Sequence, residues 1–399
     1  MNILISSFVY YPEPIGLREH DLASGLVDLG HEVFVITGLP SYPAGVVYEG
    51  YQDKANQWEI VNGVRIYRIP FVGDRGRSPL KRVGSLLLFT FFTIRALYSQ
   101  KIHPDMVRAN QFGLPGYLIS FLRDIPFFLD VQDMWPEWAK TSNFSLSKFL
   151  YEILDWQQKQ IYRKARKITT ISKRFKQYLE SKGVPTEKIF ILSNWAGSDD
   201  FRVAPRDINL GVQEGLVGKF NIVYAGNIGS AQGVEIILQS AEALGNSDQF
   251  QLIVIGDGLE KNDLENQARQ MGLETVRFLG KKAPGQLAQY LAWADVLLLP
   301  LRKNPIYEVT IPSKTFTYLA CGRPILVSAN GDVADLISEI GAGIVVPPED
   351  AQALALAIQE LMSMEPSQRE QYGRNAQIAY QKYFDRNELI RQYDQLIST

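Results

Sequence analysis

The stretch "IPSKTFTYLACGRPILVS", residues 311–328, reads as a helix followed by an apolar strand. Pro312 and Ser313 mark the helix start, and Lys314 falls in its first turn. A cation is misplaced there, because the amino end of a helix is the positive end of its dipole. A bound anion, shared between the helix start and the lysine, removes the conflict and suits a diphosphate. The ligand-free reading is a solvated lysine beside a serine cap. Tyr318, Leu319 and Ala320 continue the helix into a core, and Cys321 is a small buried residue.

The strand "PILVS" has many counterparts. In the first half of the chain they are "NILISSF", "HEVFVITG", "VRIYRI", "DMVRAN", "FFLDV", "ITTIS" and "IFILSN". In the second half they are "NIVYAGN", "QLIVIGDG", "VRFLG", "DVLLLP" and "GIVVP". Near-continuous Val/Ile/Leu strands separated by helical patterns indicate parallel sheets covered on both faces. Two such series in 399 residues indicate two doubly wound α/β domains, 1–203 and 204–377. The join lies near the polar, aperiodic residues 198–219. The last pattern, "NAQIAYQKYFDRNELIRQYDQLI", is helical, and residues 378–399 are expected to pack back on the first domain.

Composition narrows the function. The chain is 46% apolar and 21% charged with a net charge of −2, which argues against nucleic acid as a main partner. A single cysteine, Cys321, excludes an internal disulfide and suits a reducing cytoplasm. His20, His31 and His103 are too scattered for a metal cluster, so neither metal nor cofactor is expected. The first residues read directly as a strand, and no signal peptide is expected. Residues 73–101 stand out, with Arg75, Arg77, Lys81, Arg82, Arg95 and Lys101 against the single acid Asp74. The uncharged run from Val83 to Ile94 is short of the ~20 residues that span a bilayer. Two readings stay open: a helix lying on a membrane surface with Leu86, Phe89 and Phe92 dipping inward, or a core helix preceded by a basic loop.

Ligands of open α/β sheets bind beyond the carboxyl ends of the strands, which selects the loops after Phe8, Asn110, Val131, Asn227, Asp257 and Pro300. In "YYPEPIGLREHDLASGL", Gly16 either admits backbone to a phosphate or sugar, or simply serves a turn. His31 packs or caps at the start of its strand. In "FFLDVQDMWPEWAK", alternation places Asp130 within the strand as a structural residue. Asp133 is the candidate to accept a proton or orient a hydroxyl, and Glu137 reads as a helix-start acid. In "VYAGNIGSAQGVEII", Gly226, Asn227, Gly229 and Gly233 make a loop open to phosphate oxygens. Their spacing is not the dinucleotide fingerprint, which argues against NAD. Gly256, Asp257 and Gly258 form a further turn, and Arg302 and Arg323 are cations within reach of the same region.

Together and in this order, "YYPEPIG", "GHEVFVIT", "VQDMWPE", "YAGNIGSAQG", "IVIGDG", "VRFLG", "ADVLLLPL" and "PSKTFTYLACGRP" occur in a known family. Over nearly its whole length the chain resembles the retaining glycosyltransferases of family four. Within them it is similar to the branch of colanic-acid-type and fucosamine transferases. The resemblance implies the GT-B fold, two Rossmann-like domains with parallel sheets facing across a cleft. It implies a UDP- or GDP-sugar donor held by the second domain, a lipid-linked or saccharide acceptor facing the first, and no metal. By position, Gly16 faces the diphosphate, Asp133 sits beside the reacting sugar, Lys314 with Ser313 contacts the phosphates, and Gly280 and Lys281 lie near the base. Gly226, Asn227, Gly229 and Gly256 complete the donor loops.

Three positions depart from the family pattern. Gln132 stands where relatives carry a histidine, Gln232 where a lysine is usual, and Thr317 where a glutamate binds the ribose hydroxyls. A threonine cannot accept the paired bonds a carboxylate accepts. Glu308 is the nearby compensating acid, and Arg302 the supporting cation. The reading that follows is a cytoplasmic transferase, peripheral on the inner face of the plasma membrane through residues 75–98. It serves surface lipopolysaccharide or exopolysaccharide synthesis. The alternative is a catalytically degenerate GT-B protein that binds a nucleotide-sugar or activates a partner transferase. An epimerase would need several carboxylates around the sugar, and only Asp133 is so placed.

Overall fold

The computed structural model describes residues 1–42, 45–73, 79–110, 112–135, 137 and 148–399. Arg75 and Arg77 of the basic segment and Pro136 of the Trp-Pro-Glu motif lie outside them, as does the Arg82 side chain. The chain divides into two compact units, residues 1–193 with 387–399, and residues 194–386.

The first unit holds an eight-stranded sheet. Its strands are β1 (Asn2–Ser6), β2 (Glu32–Thr37), β3 (Gln57–Val61), β4 (Val64–Arg68), β5 (Met106–Asn110), β6 (Phe127–Val131), β7 (Lys167–Thr170) and β8 (Ile189–Ile191). They are ordered β3-β4-β2-β1-β5-β6-β7-β8. All neighbours pair in parallel except β3 and β4. The strand β3 is absent from the sequence reading, although its signal was present. Asn62 and Gly63, both at positive φ, form the two-residue turn that favours a hairpin, and "QWEIV" before it is an edge strand with Trp58 and Ile60 exposed. Both faces of β6 are covered, so all five of its residues are buried.

The second unit holds a six-stranded, wholly parallel sheet ordered β11-β10-β9-β12-β13-β14. Its strands are β9 (Phe220–Ala225), β10 (Phe250–Ile255), β11 (Val276–Gly280), β12 (Val296–Pro300), β13 (Ile325–Ser328) and β14 (Gly343–Val346). Two apolar clusters, one around Leu297, Phe316 and Leu319 and one around Ile222, Leu252 and Ile358, pack against it. In each unit the strand order reverses once, beside β1 and beside β9. At such switch points the flanking loops diverge and leave room for a ligand.

The final helical pattern is interrupted at Phe384 and Asp385 into helices Pro366–Tyr383 and Arg386–Ser398. The last one is fastened to the first unit. Ile390 fills the space a side chain at Gly25 would take, His31 Nε2 lies 2.7 Å from Asp394 Oδ1, and Lys167 Nζ donates to the Leu396 carbonyl at 2.7 Å. The helix Pro79–Ser99 is a core helix on one stripe and open on the other. Leu86 and Phe89, which only the membrane-surface reading has dipping into a bilayer, are buried as the core-helix reading has them, because the inward face needs them at helical spacing with Thr93, Ala96 and Leu97. Leu87, Leu88, Phe91 and Tyr98 point outward. No helix among the described residues is long and apolar enough to cross a membrane.

Candidate functional site

In the second unit the helix Ser313–Cys321 begins beside the switch point. Pro312 is its N-cap and has no N–H, so the amides offered to an anion are those of Ser313 and Lys314 rather than of Pro312 and Ser313. Lys314 is half-buried, and its Nζ donates to Tyr224 Oη at 2.9 Å and to Gln232 Oε1 at 2.7 Å. It also lies 4.1 Å from the centre of the Tyr224 ring. These partners are all neutral, and among the described residues no carboxylate lies within ion-pair distance. Burial without a counter-charge pushes the ammonium pKa down to about 7. The site is therefore an uncompensated cation at the positive end of a helix, and it lowers its energy by taking up an anion.

The surrounding backbone is shaped to leave that space. At Gly226 a side chain would come within 3.0 Å of Lys314 Nζ, and at Gly256 it would run into the Gly226 carbonyl. The loops after β9 and β10 can thus pack against each other only as glycines. Tyr318, four residues after Lys314, accepts from the Ala225 amide at 2.8 Å and ties the helix to the end of β9. Asn227 and Gly229 continue the loop, and the Asn227 carbonyl accepts from Tyr224 Oη. Thr317 is half-buried on the same helix, and Glu308 ends the short helix Pro305–Glu308, its backbone pressed against Gly331. Arg302 is drawn into an ion pair with Glu235 at 2.7 Å, beside a pocket of about 330 Å³ also lined by Ser328 and Glu349. Gly280 ends β11, and Lys281 beyond it is exposed.

In the first unit the ends of β1, β5 and β6 converge. Asn110 Nδ2 donates to Ser7 Oγ at 3.0 Å. Below them is a closed ion cluster: Arg108 pairs with Glu19, Arg108 Nη2 lies 3.3 Å from Asp130, and Arg18 lies 3.2 Å from the same carboxylate. Thr169 Oγ1 and Gln132 Nε2 each donate to Asp130 at 2.6 Å. Burial pushes the Asp130 carboxyl up, but Arg18, Arg108 and the two hydrogen bonds outweigh it and hold the pKa below the ordinary range. The C-terminal helix completes the cluster, with the Arg108 guanidinium 5.4 Å from the Tyr393 ring centre.

Asp133 projects into solvent two residues after β6, and desolvation by nearby protein raises its carboxyl pKa. Glu137 accepts from Tyr151 at 3.0 Å and pairs with Lys182. Gly16 is buried, and the space of its missing side chain is taken by the Tyr10 backbone. Its glycine identity thus serves the packing of the loop.

The structure adds Tyr224, Arg18 and Arg108, which the sequence reading leaves out. Tyr224 looks like any aromatic of a buried strand. Arg18 and Arg108 carry no local signal, because their partners come from distant elements.

Residues 15–195 match the family described as a glycosyl transferase 4-like domain, and residues 219–364 match glycosyl transferases group 1. WcaI of Escherichia coli (strain K12), named as a glycosyl transferase of colanic acid biosynthesis, is 27% identical over 380 residues, covering 91% of this chain and 92% of WcaI. Among solved structures, sucrose-phosphate synthase from Thermosynechococcus elongatus superposes with a TM-score of 0.78 at 19% identity, covering 99% of this chain and 98% of the synthase. Anabaena HepE in complex with UDP-glucose superposes with a TM-score of 0.74 at 18% identity, covering 100% of this chain and 99% of HepE.

Proposed function

Since the chain is a glycosyltransferase of GT-B fold and family-four type, we propose that it moves a sugar from a nucleotide-sugar to a lipid-linked or oligosaccharide acceptor in cell-surface polysaccharide synthesis. The reaction proceeds with retention and without a metal. The observation that carries this reading is Lys314, a cation with only neutral partners at a helix start. There it meets the donor diphosphate together with the Ser313 amide. As the bond from the anomeric carbon to phosphate breaks, the charge left on the diphosphate is stabilised by the ammonium and the helix dipole. The acceptor hydroxyl bonds to the anomeric carbon on the same face and passes its proton to the departing phosphate oxygen.

Gly226, Asn227, Gly229 and Gly256 frame the diphosphate. Gly280 and Lys281 border the base, and Glu308 with Thr317 takes the ribose. Arg302 supports the phosphates after release from Glu235. Asp133 and Gln132 meet the sugar. Uracil is the first base to test, because HepE was solved with UDP-glucose.

The lowered lysine pKa supplies the test. In the free protein Lys314 is protonated below about pH 7 and loses its proton above it. Bound diphosphate favours the ammonium and raises that pKa, so binding takes up a proton in the interval between the two values. Affinity for UDP-glucose, whose diphosphate does not titrate here, is then greatest below about pH 7 and falls by up to about tenfold per unit above it. Calorimetry from about pH 6.5 to about 8.5, in buffers of different ionisation enthalpy, reads both the slope and the proton. A flat profile with no proton uptake removes Lys314 from the phosphate site.

The membrane reading of residues 75–98 is supported by a wider surface. Helices Leu114–Arg123 and Lys148–Lys164 also expose large apolar side chains, Phe121 and Leu122, and Phe149, Ile153 and Trp156, as Pro79–Ser99 exposes Leu87, Leu88 and Phe91. Apolar surface of that extent marks an interaction site, and Pro79–Ser99 carries Lys81 and Arg95 with no acid. The protein co-sediments with vesicles containing phosphatidylglycerol and far less with pure phosphatidylcholine. Replacing Leu87, Leu88 and Phe91 by serine cuts the bound fraction at least about tenfold. Equal sedimentation of this variant excludes the surface as the membrane contact.

A further inference from the structure

The ammonium of Lys314 sits in a chain of hydrogen bonds whose directions are fixed. The Asn227 carbonyl can only accept, so Tyr224 Oη gives it its proton, at 2.5 Å. Toward Lys314 Nζ, 2.9 Å away, the same hydroxyl presents a lone pair. An ammonium can only donate, so the group of Gln232 that lies 2.7 Å from Nζ is the amide oxygen. Turning the amide over would set its NH2 against the cation, a repulsive contact in place of a charge-assisted bond. Gln232 ends the single turn Ser230–Gln232, closed by its own amide on the Gly229 carbonyl at 2.9 Å, with Gly233 at positive φ behind it. Two of the three Nζ protons are thereby spent on neutral acceptors, and the third meets no acceptor among the described residues. The charged and titratable groups around this point leave the cation uncompensated. Glu235 on the next helix is paired with Arg302 at 2.7 Å, and Asp257 after β10 accepts from the Gly258 amide at 2.9 Å. Burial pushes the Tyr224 and Tyr318 hydroxyls up, away from ionisation.

We propose that Gln232 is a positioning residue for Lys314: with the Tyr224 hydroxyl it holds the ammonium so that one N–H is left for a phosphate oxygen, and being neutral it leaves the whole charge to the ligand. The glutamine acts through the lysine and not on the donor. A lysine at position 232, the residue usual there in the family, could not do this, because a second ammonium has no lone pair to offer and would repel the first. A carboxylate would accept as well as the amide but would cancel the charge. The inference rests on the reading of Lys314 as the diphosphate contact, and all of its parts lie in the second unit.

The experiment compares the full chain with Gln232→Leu, which removes the acceptor, and Gln232→Glu, which keeps an acceptor and adds a charge. Calorimetric binding of UDP-glucose is followed across the pH range in which Lys314 titrates. Gln232→Leu loses a hydrogen bond that favours the charged form, so its affinity begins to fall about one pH unit below the native profile, and at pH 8 it binds about tenfold more weakly. Gln232→Glu shows the opposite pattern. Its ammonium stays charged to higher pH, so the profile flattens, but the cancelled charge makes binding about tenfold weaker even at pH 6.5. A merely structural role would leave the shape of the profile unchanged, and a Gln232→Leu profile that coincides with the native one overturns the proposal while leaving the donor assignment intact. If UDP-glucose binds to none of the three, the donor assignment itself falls, and the contact is judged without a ligand. In protein with ¹³C-labelled lysine, the Lys314 signal, identified by its loss in Lys314→Met, titrates at lower pH in Gln232→Leu and at higher pH in Gln232→Glu. One midpoint common to all three proteins overturns the contact.

Discussion

Lys314→Ala lowers sugar transfer by about a hundredfold or more, the cost of removing one preorganised group that stabilises a leaving charge. Transfer and slow hydrolysis of UDP-glucose fall together, because both break the same bond to phosphate. An unchanged rate in this variant would mean that the leaving diphosphate is stabilised elsewhere. The same site makes an opposite prediction for stability. Burial without a counter-charge lowers the lysine pKa from 10.5 to about 7, so the folded state disfavours the charged form. The unfolded chain then binds more protons between those two values, and the penalty is full below about pH 7 and fades as pH approaches 10.5. Lys314→Met removes it. The melting temperature of that variant rises by a few degrees near pH 6.5, and the gain shrinks towards pH 10. A function-bearing residue that costs stability is a common signature of a binding site, and a lower melting temperature for Lys314→Met would contradict it.

Arg108→Ala has the largest effect on folding. The guanidinium is fully buried between Glu19 and Asp130, and its removal leaves buried carboxylates short of a partner. Breaking a buried pair of this kind costs about 3–5 kcal/mol, read as a fall in the urea midpoint. Asp130 provides a check on sign. Its folded pKa lies below the unfolded value, so its contribution is present above the unfolded value and is lost as pH falls through the folded one. The deficit of Arg108→Ala is therefore greatest near neutral pH and diminishes on acidification. A deficit independent of pH would assign the loss to packing against Tyr393 rather than to charge.

Most of the fold was legible because parallel strands buried on both faces must be apolar at nearly every position, which singles them out from the polar loops and amphipathic helices. The exception, β3, alternates Trp58 and Ile60 with polar neighbours because it is an edge, and its Asn62-Gly63 turn was the only strong clue. Within the site, Lys314 and the glycines near it were legible for local reasons, a charge against a dipole and loops that need close approach. Tyr224 was not, since an aromatic in a buried strand has an ordinary packing explanation. The ion cluster was illegible for another reason. Arg18, Arg108, Asp130, Thr169 and Tyr393 come from five separate segments and meet only through the order of the strands.

By itself, then, the sequence determined the alternation of strand and helix, the division into two doubly wound units and the presence of a misplaced cation at residue 314. Those are properties of neighbouring residues along the chain. Only the tertiary structure decided that this cation has a tyrosine and a glutamine for company and, among the described residues, no acid within ion-pair distance, and that Gln132 turns its amide nitrogen to Asp130. Tyr224 and Gln232 lie 90 and 82 positions away from Lys314. Compensation of charge depends on what folding brings within a few ångströms, and no periodicity in the chain records that.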